Sequence, residues 1–174
     1  MLHTSLTGNP EHDPYAPCSI SDLTKKGYDY WALGHIHQHA IVHESPHIIY
    51  CGNPQGRHIK ETGERGCYLI EVDDNLSISK TSFEVTDVVR WQAIEIDASA
   101  LSDSEALRDS ISQQMETTLA EANGRLLALR ITLYGDTSLH DQLHAELAHW
   151  QAECVNIAAE IDEELICNIC YGNQ

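Results

Sequence analysis

Tyr28-Asp29-Tyr30-Trp31-Ala32-Leu33-Gly34-His35-Ile36-His37 joins a short apolar run to a glycine and two histidines. Residues 28–33 read as a buried strand, and Gly34 as the turn that ends it. Two imidazoles therefore stand where a strand stops, with one residue between them, so they are close whether the strand continues or the chain turns. Neutral imidazole is the commonest metal ligand, and two ions about 3.5–4 Å apart can clamp the attacking and leaving oxygens of a phosphate ester. The same pattern arises where one histidine packs and the other hydrogen-bonds in a loop, and an isolated His-x-His does not separate the two.

Motif order adds to this. Tyr30-Trp31-Ala32-Leu33-Gly34-His35-Ile36-His37 is followed by Tyr50-Cys51-Gly52-Asn53-Pro54-Gln55-Gly56-Arg57 and by Glu61-Thr62-Gly63-Glu64-Arg65-Gly66-Cys67-Tyr68-Leu69. Leu2-His3-Thr4 and Glu11-His12-Asp13-Pro14-Tyr15-Ala16-Pro17-Cys18 precede them. Together these segments resemble the second half of a calcineurin-like metallophosphoesterase, and within that superfamily the DNA repair exonucleases of the SbcD and YhaO type. The resemblance is dense over residues 2–90 and loose beyond.

It implies a hydrolase: a metal-dependent phosphodiesterase acting as a DNA exonuclease with two divalent ions, Mn²⁺ by expectation. It makes His3 and His35 ligands of the second metal and His37 a ligand of the first. The loop after Cys51, where the family usually has proline, borders the active site, so Asn53, Arg57 and His58 are expected to contact substrate. The family's other ligands come from an Asp-x-His, an Asp and an Asn-His-Asp or Asn-His-Glu, whose histidine is the general acid. The chain is expected to begin after these, so no catalytic acid falls within it. The alternative is a catalytically inactive fragment, or a capping and interaction module. The partners implied are DNA, a coiled-coil ATPase subunit and a second copy in a homodimer.

Composition bounds the rest. The 174 residues suffice for one domain or two small ones, and a 42% hydrophobic share is ordinary. No stretch approaches the ~20 apolar residues of a membrane span, and no basic-then-apolar leader opens the chain, so a soluble cytoplasmic protein is expected. Net charge is −17, from 27 acidic and 10 basic residues. A protein that gripped a long duplex by neutralising phosphates would be basic, although bound divalent ions reverse the field locally. Six cysteines, at 18, 51, 67, 154, 167 and 170, lie scattered and read as reduced thiols. Cys167-Asn168-Ile169-Cys170 is their one close pair, short of the four ligands of a structural zinc and set in a strand-like pattern.

In chain order, His3 ends a strand over residues 1–5. Residues 7–17 read as an irregular loop in which His12 and Asp13 approach substrate or fix the loop by local hydrogen bonds. A short helix over residues 19–26 starts at Ser21-Asp22 and stops at Lys25-Lys26-Gly27. His39, His43 and His47 read as surface histidines. Residues 48–51 form a strand, Gly52 and Gly56 permit close approach of a ligand, and Arg57 offers its fork to phosphate or pairs with Glu61 or Glu64. Residues 66–73 and 76–84 form a hairpin around Asp73-Asp74-Asn75. These strands belong to a partial phosphoesterase β-sandwich, and with its opposing layer missing Tyr30, Trp31, Leu33, Ile48 and Ile49 would lose part of their cover.

The pattern changes over residues 85–90, which divides the chain into domains 1–88 and 89–174. The second has a strand at 91–97 and a capping box at Ser102-Asp103-Ser104-Glu105. A helix follows with Leu107, Ile111, Met115 and Leu119 on its stripe, ended by Asn123-Gly124. A strand at 125–134 leads to a second helix, with Leu139, Leu143, Leu147, Trp150 and Cys154 buried, and to strands at 155–161 and 165–171. His140 and His144 lie four apart without a third ligand. The expected fold is α/β (α+β): the partial sandwich followed by a β-α-β-α-β capping module of ferredoxin-like character.

Overall fold

A computed structural model of the chain describes residues 1–6 and 15–171, so the expectations for His12 and Asp13 lie outside the described residues. The chain forms two compact units, one of Met1–Gly56 with Glu64–Asp87, the other of Arg57–Gly63 with Val88–Gln174.

In the first unit β1 (Leu2–His3), β2 (Tyr30–Gly34), β3 (Ala40–Glu44) and β4 (His47–Tyr50) make a sheet in the order β1-β2-β4-β3. β1 and β4 both run parallel to β2, and β3 is antiparallel to β4 with an irregularity between Ile41 and His43. Helix α1 (Ile20–Thr24) packs Leu23 into a cluster with Leu33, Ile36, Ile48 and Tyr50. Its cap is Ser19, two residues before the expected start. Ser19 Oγ accepts from Asp22 N–H while the Asp22 carboxylate accepts from Ser19 N–H, a reciprocal capping box. Leu33, Ile48 and Ile49 are buried at 0–1% exposure, against the expectation that they would be partly uncovered, while Tyr30 and Trp31 are half-buried. For Leu33 and Ile48 the reason is local, since α1 and the residues flanking β1 cover that face of the sheet.

β5 (Gly66–Val72) and β6 (Ile78–Val85) form an antiparallel hairpin. Asp73 closes it: its Oδ1 accepts from the N–H groups of Asn75 and Ser77.

The second unit carries β7 (Val89–Asp97), α2 (Ser104–Glu121), β8 (Leu126–Tyr134), α3 (His140–Ala145), α4 (Leu147–Ile161) and β9 (Ile166–Tyr171). The sheet order is β7-β8-β9, all parallel. The β-α-β-α-β order is therefore present, but the ferredoxin-like character is not. That motif has two strands adjacent in sequence within its β-α-β-β-α-β order, whereas here every strand-to-strand connection is a helical crossover, which returns the chain parallel.

Two further differences concern helices. Residues 155–161, expected as a strand, complete α4. Trp150, Cys154, Ile157 and Ala158 are buried on it while Val155 is 54% exposed, which is helical periodicity; the β-branched Val155, Ile157 and Ile161 disguised it. The single helix expected over residues 136–154 is divided at Glu146 into α3 and α4. The cap of α2 is Asp103, whose Oδ1 accepts from Ala106 N–H, one residue after the expected Ser102. Leu107, Ile111, Met115, Leu127, Ile131, Leu133 and Ile157 fill the core. No described helix is long and apolar enough to cross a membrane. The architecture is mixed α/β.

Candidate metal centre

β1 and β2 are parallel neighbours with His3 paired to Gly34, so both strands end at the same edge of the sheet, where ligand-binding loops diverge in layered α/β folds. His3 ends β1 and His35 follows β2. Their rings meet edge to face with centroids 5.2 Å apart. Tyr15 completes the group, stacked on His35 at 5.6 Å and edge-on to His3 at 5.3 Å. Gly34 makes the approach feasible: a Cβ there would lie 3.1 Å from His3 Nδ1. His35 itself has φ +98°, a conformation that costs a non-glycine residue about 1–3 kcal/mol and that concentrates at functional sites.

Buried hydrogen bonds hold this edge. Thr4 N–H donates to the Gly34 carbonyl at 3.3 Å, and the Tyr50 hydroxyl donates to the Thr4 carbonyl at 3.0 Å while accepting from Leu6 N–H. Ser5 pins Tyr15 through its N–H to the Tyr15 carbonyl at 2.8 Å and its Oγ from Tyr15 N–H at 2.7 Å.

His37 follows the buried Ile36 and is exposed. Its carbonyl accepts from Arg65 Nη1 at 2.6 Å and from Asn53 N–H at 3.2 Å, and Arg65 Nη1 also reaches Asn53 Oδ1 at 3.3 Å. Arg65 is 4% exposed, so its cation is a buried brace between the His37 loop and the loop after β4. Gly52, with φ +72°, would carry a Cβ 2.9 Å from both the His37 carbonyl oxygen and the His39 nitrogen. The close approach expected of this glycine is thus to the chain itself.

The other expected contacts resolve as follows. Asn53 is engaged with Arg65. Arg57 and His58 belong to the second unit and gather on Glu61, which accepts from Arg57 N–H at 2.7 Å and lies 3.5 Å from Arg57 Nη2 and 3.8 Å from His58 Nε2. Of the two readings of Arg57, the pair with Glu61 is therefore present. His39 is no surface histidine: it stacks on Phe83 at 3.8 Å, and burial, then the Arg65 cation, hold its pKa below the ordinary imidazole range against the opposing pull of Glu64. His43 Nδ1 lies 2.8 Å from the Pro46 carbonyl. Cys167 and Cys170, three apart on a strand, face opposite ways and form no chelating pair. Tyr15, Tyr50 and Arg65 were not singled out as site residues by the sequence. Arg65 stood in a motif whose charge gives no sign of burial.

Two imidazoles side by side at adjacent strand ends fit the histidine portion of a dinuclear metal site. They do not make a site alone: among the described residues no three His, Cys, Asp or Glu side chains group to hold a metal, so His37 does not join His3 and His35 in a three-donor set.

Comparison with known proteins bears on the class. Residues 91–168 match the family described as metallophosphoesterase YhaO, middle domain. Over 138 residues the chain is 41% identical to the uncharacterized metallophosphoesterase YhaO of Bacillus subtilis (strain 168), a match covering 78% of this chain and 32% of that protein. The chain belongs to the metallophosphoesterases. Within them it is YhaO-like, and the match spans 32% of the length of that curated relative.

Proposed function

We propose that this chain supplies the histidine side of a dinuclear metal site in a phosphodiesterase that hydrolyses DNA as a repair exonuclease. The observation that supports the reading is the His3–His35 pair, 5.2 Å apart at the ends of two parallel strands, with His35 in strained backbone. His3 and His35 would hold one divalent ion and His37 the other, Mn²⁺ in each case. When bound, such ions supply charge stabilisation at the phosphoryl oxygens and activate the attacking water. The chain's own residues position: Tyr15 orients the His35 ring by stacking, and Arg65 fixes the carbonyl of His37 and hence the loop that presents it. Carboxylate donors and the general acid are not among His3, His35 and His37 and would come from other segments of the enzyme. With net charge −17, the grip on DNA would rest on those segments or on a partner such as a coiled-coil ATPase.

Titration with Mn²⁺, followed by paramagnetic broadening of the histidine ring signals, tests this. Broadening is expected first at His3 and His35, with loss of the effect at His3 in His35→Ala. Sharp His3 and His35 signals while the exposed acidic surface broadens would refute it. The 174-residue chain by itself is expected to turn over no DNA, and manganese-dependent turnover that disappears in His37→Ala would overturn that part.

A second reading, a non-catalytic capping or interaction module, is favoured by the position of the family match on the second unit. Under it Mn²⁺ leaves all three histidines unchanged.

A further inference from the structure

We propose that a second copy of this chain docks on the free edge of β9 and the adjoining flank of α4, pairing β9 antiparallel with β9 and joining two three-stranded sheets into one of six strands. Among the described residues β9 ends its sheet and pairs with β8 alone, so the backbone groups on its outer side form an unpaired edge. Native sheets guard such an edge with charged side chains, proline or a bulge. Ile166-Cys167-Asn168-Ile169-Cys170-Tyr171 has neither a charge nor a proline, and its register against β8 runs unbroken. The opposite edge is guarded: β7 carries the exposed Glu95 and Asp97, and its Trp91 carbonyl accepts from Gly63 N–H at 3.0 Å.

α4 continues the same surface. It packs on β9 while α2 packs on β7, so the flank of α4 turned away from α2 lies beside the free edge. Both acidic side chains of α4, Glu153 and Glu160, are drawn to the other flank, where Arg108 of α2 meets each at 2.8 Å. Toward β9 stand Ala148, Gln151, Val155 and Ala159, spaced three and four apart on one exposed, uncharged face. The exposed large hydrophobic side chains described in the second unit are Val88, Leu147, Val155 and Ile166, and the last three all lie on α4 and β9.

Charge and symmetry choose a second copy as the occupant. A net charge of −17 sets two copies against each other over most of their surface. The β9 edge and this flank of α4 carry no charge, so copies meet here without repulsion, and a basic partner drawn to the acidic surface has no reason to select it. A strand paired antiparallel with its own copy is self-complementary about a two-fold axis normal to the sheet, which sets the two α4 flanks side by side. The assembly closes at two, because both of its outer edges are then the guarded β7 edges.

The test follows the intact chain by sedimentation velocity over a concentration series, with amide hydrogen exchange measured at both ends of the series. A species of twice the chain mass is expected, together with slowed exchange in β9 that is lost on dilution; this pattern decides without any variant. Val155→Glu, at a side chain 54% exposed, and Asn168→Lys, at an exposed position of the edge, each place a charge in the contact twice over and are expected to weaken the dimer by about tenfold or more. Val88→Glu, exposed but outside the surface, is expected to leave it unchanged, and far-UV circular dichroism confirms that the variants compared are folded. A chain that stays monomeric at every concentration, a dimer that survives both Val155→Glu and Asn168→Lys, or one that Val88→Glu weakens equally would overturn the proposal.

Discussion

Arg65→Met removes the guanidinium that braces the candidate site while keeping much of its apolar stem. Arg65 is 4% exposed and donates at 2.6 Å to the His37 carbonyl and at 3.3 Å to Asn53 Oδ1. A hydrogen bond from a charged donor contributes about 1.5–3 kcal/mol. The longer of the two adds little, and the His37 carbonyl keeps the Asn53 N–H at 3.2 Å, so the expected loss is about 2 kcal/mol. For a unit of this size that lowers the unfolding midpoint by roughly 8–16 °C. Chemical denaturation of the wild-type and variant chains measures the energy, and histidine NMR titration supplies a second readout. His39 is held below the ordinary imidazole range first by burial and then by the Arg65 cation. The unfolded chain therefore takes up this proton first. The stability that neutral His39 contributes is whole above about pH 6.5 and is lost as pH falls through its depressed folded value. Removing the cation raises that folded value, so His39 in Arg65→Met should titrate at higher pH and the acid-dependent loss should shrink. A stability change under about 0.5 kcal/mol, the size of an ordinary surface substitution, with an unmoved His39 titration, would refute the brace.

Three further outcomes are expected. At His35, φ +98° should invert the usual preference for alanine over glycine: His35→Gly is expected to be about 1 kcal/mol more stable than His35→Ala by denaturant unfolding, and equal or reversed stabilities would show the backbone to be unstrained. Ile131→Ala empties a fully buried position of the second unit and should cost about 2–5 kcal/mol in the same assay. Asp103→Ala removes the cap of α2. The Asp103 carboxyl is held below the usual range by its bond from Ala106 N–H and then by Ser102, so its stabilisation is present above the unfolded carboxylate value and is lost as pH falls through the folded one. The variant should accordingly show a lower thermal midpoint near neutrality and converge on the wild type in acid.

What the sequence by itself determined is what local chemistry controls. The apolar run into Gly34 placed a strand and its end, and the Asp73-Asp74-Asn75 turn placed a hairpin. The four-residue stripe from Leu107 to Met115 placed a helix, and Asn123-Gly124 its stop. Motif order pointed to the metallophosphoesterases because a series of short segments in sequence order is information that a single chain carries. Tertiary structure decided the rest. That His3 and His35 meet depends on β1 lying parallel beside β2. The burial of Arg65 against a carbonyl and the stacking of His39 on Phe83 are both contacts between segments distant in sequence. Helix and strand remained ambiguous over residues 155–161 for the same reason: β-branched residues favour a strand locally, and packing of Cys154, Ile157 and Ala158 into one core outweighs that preference.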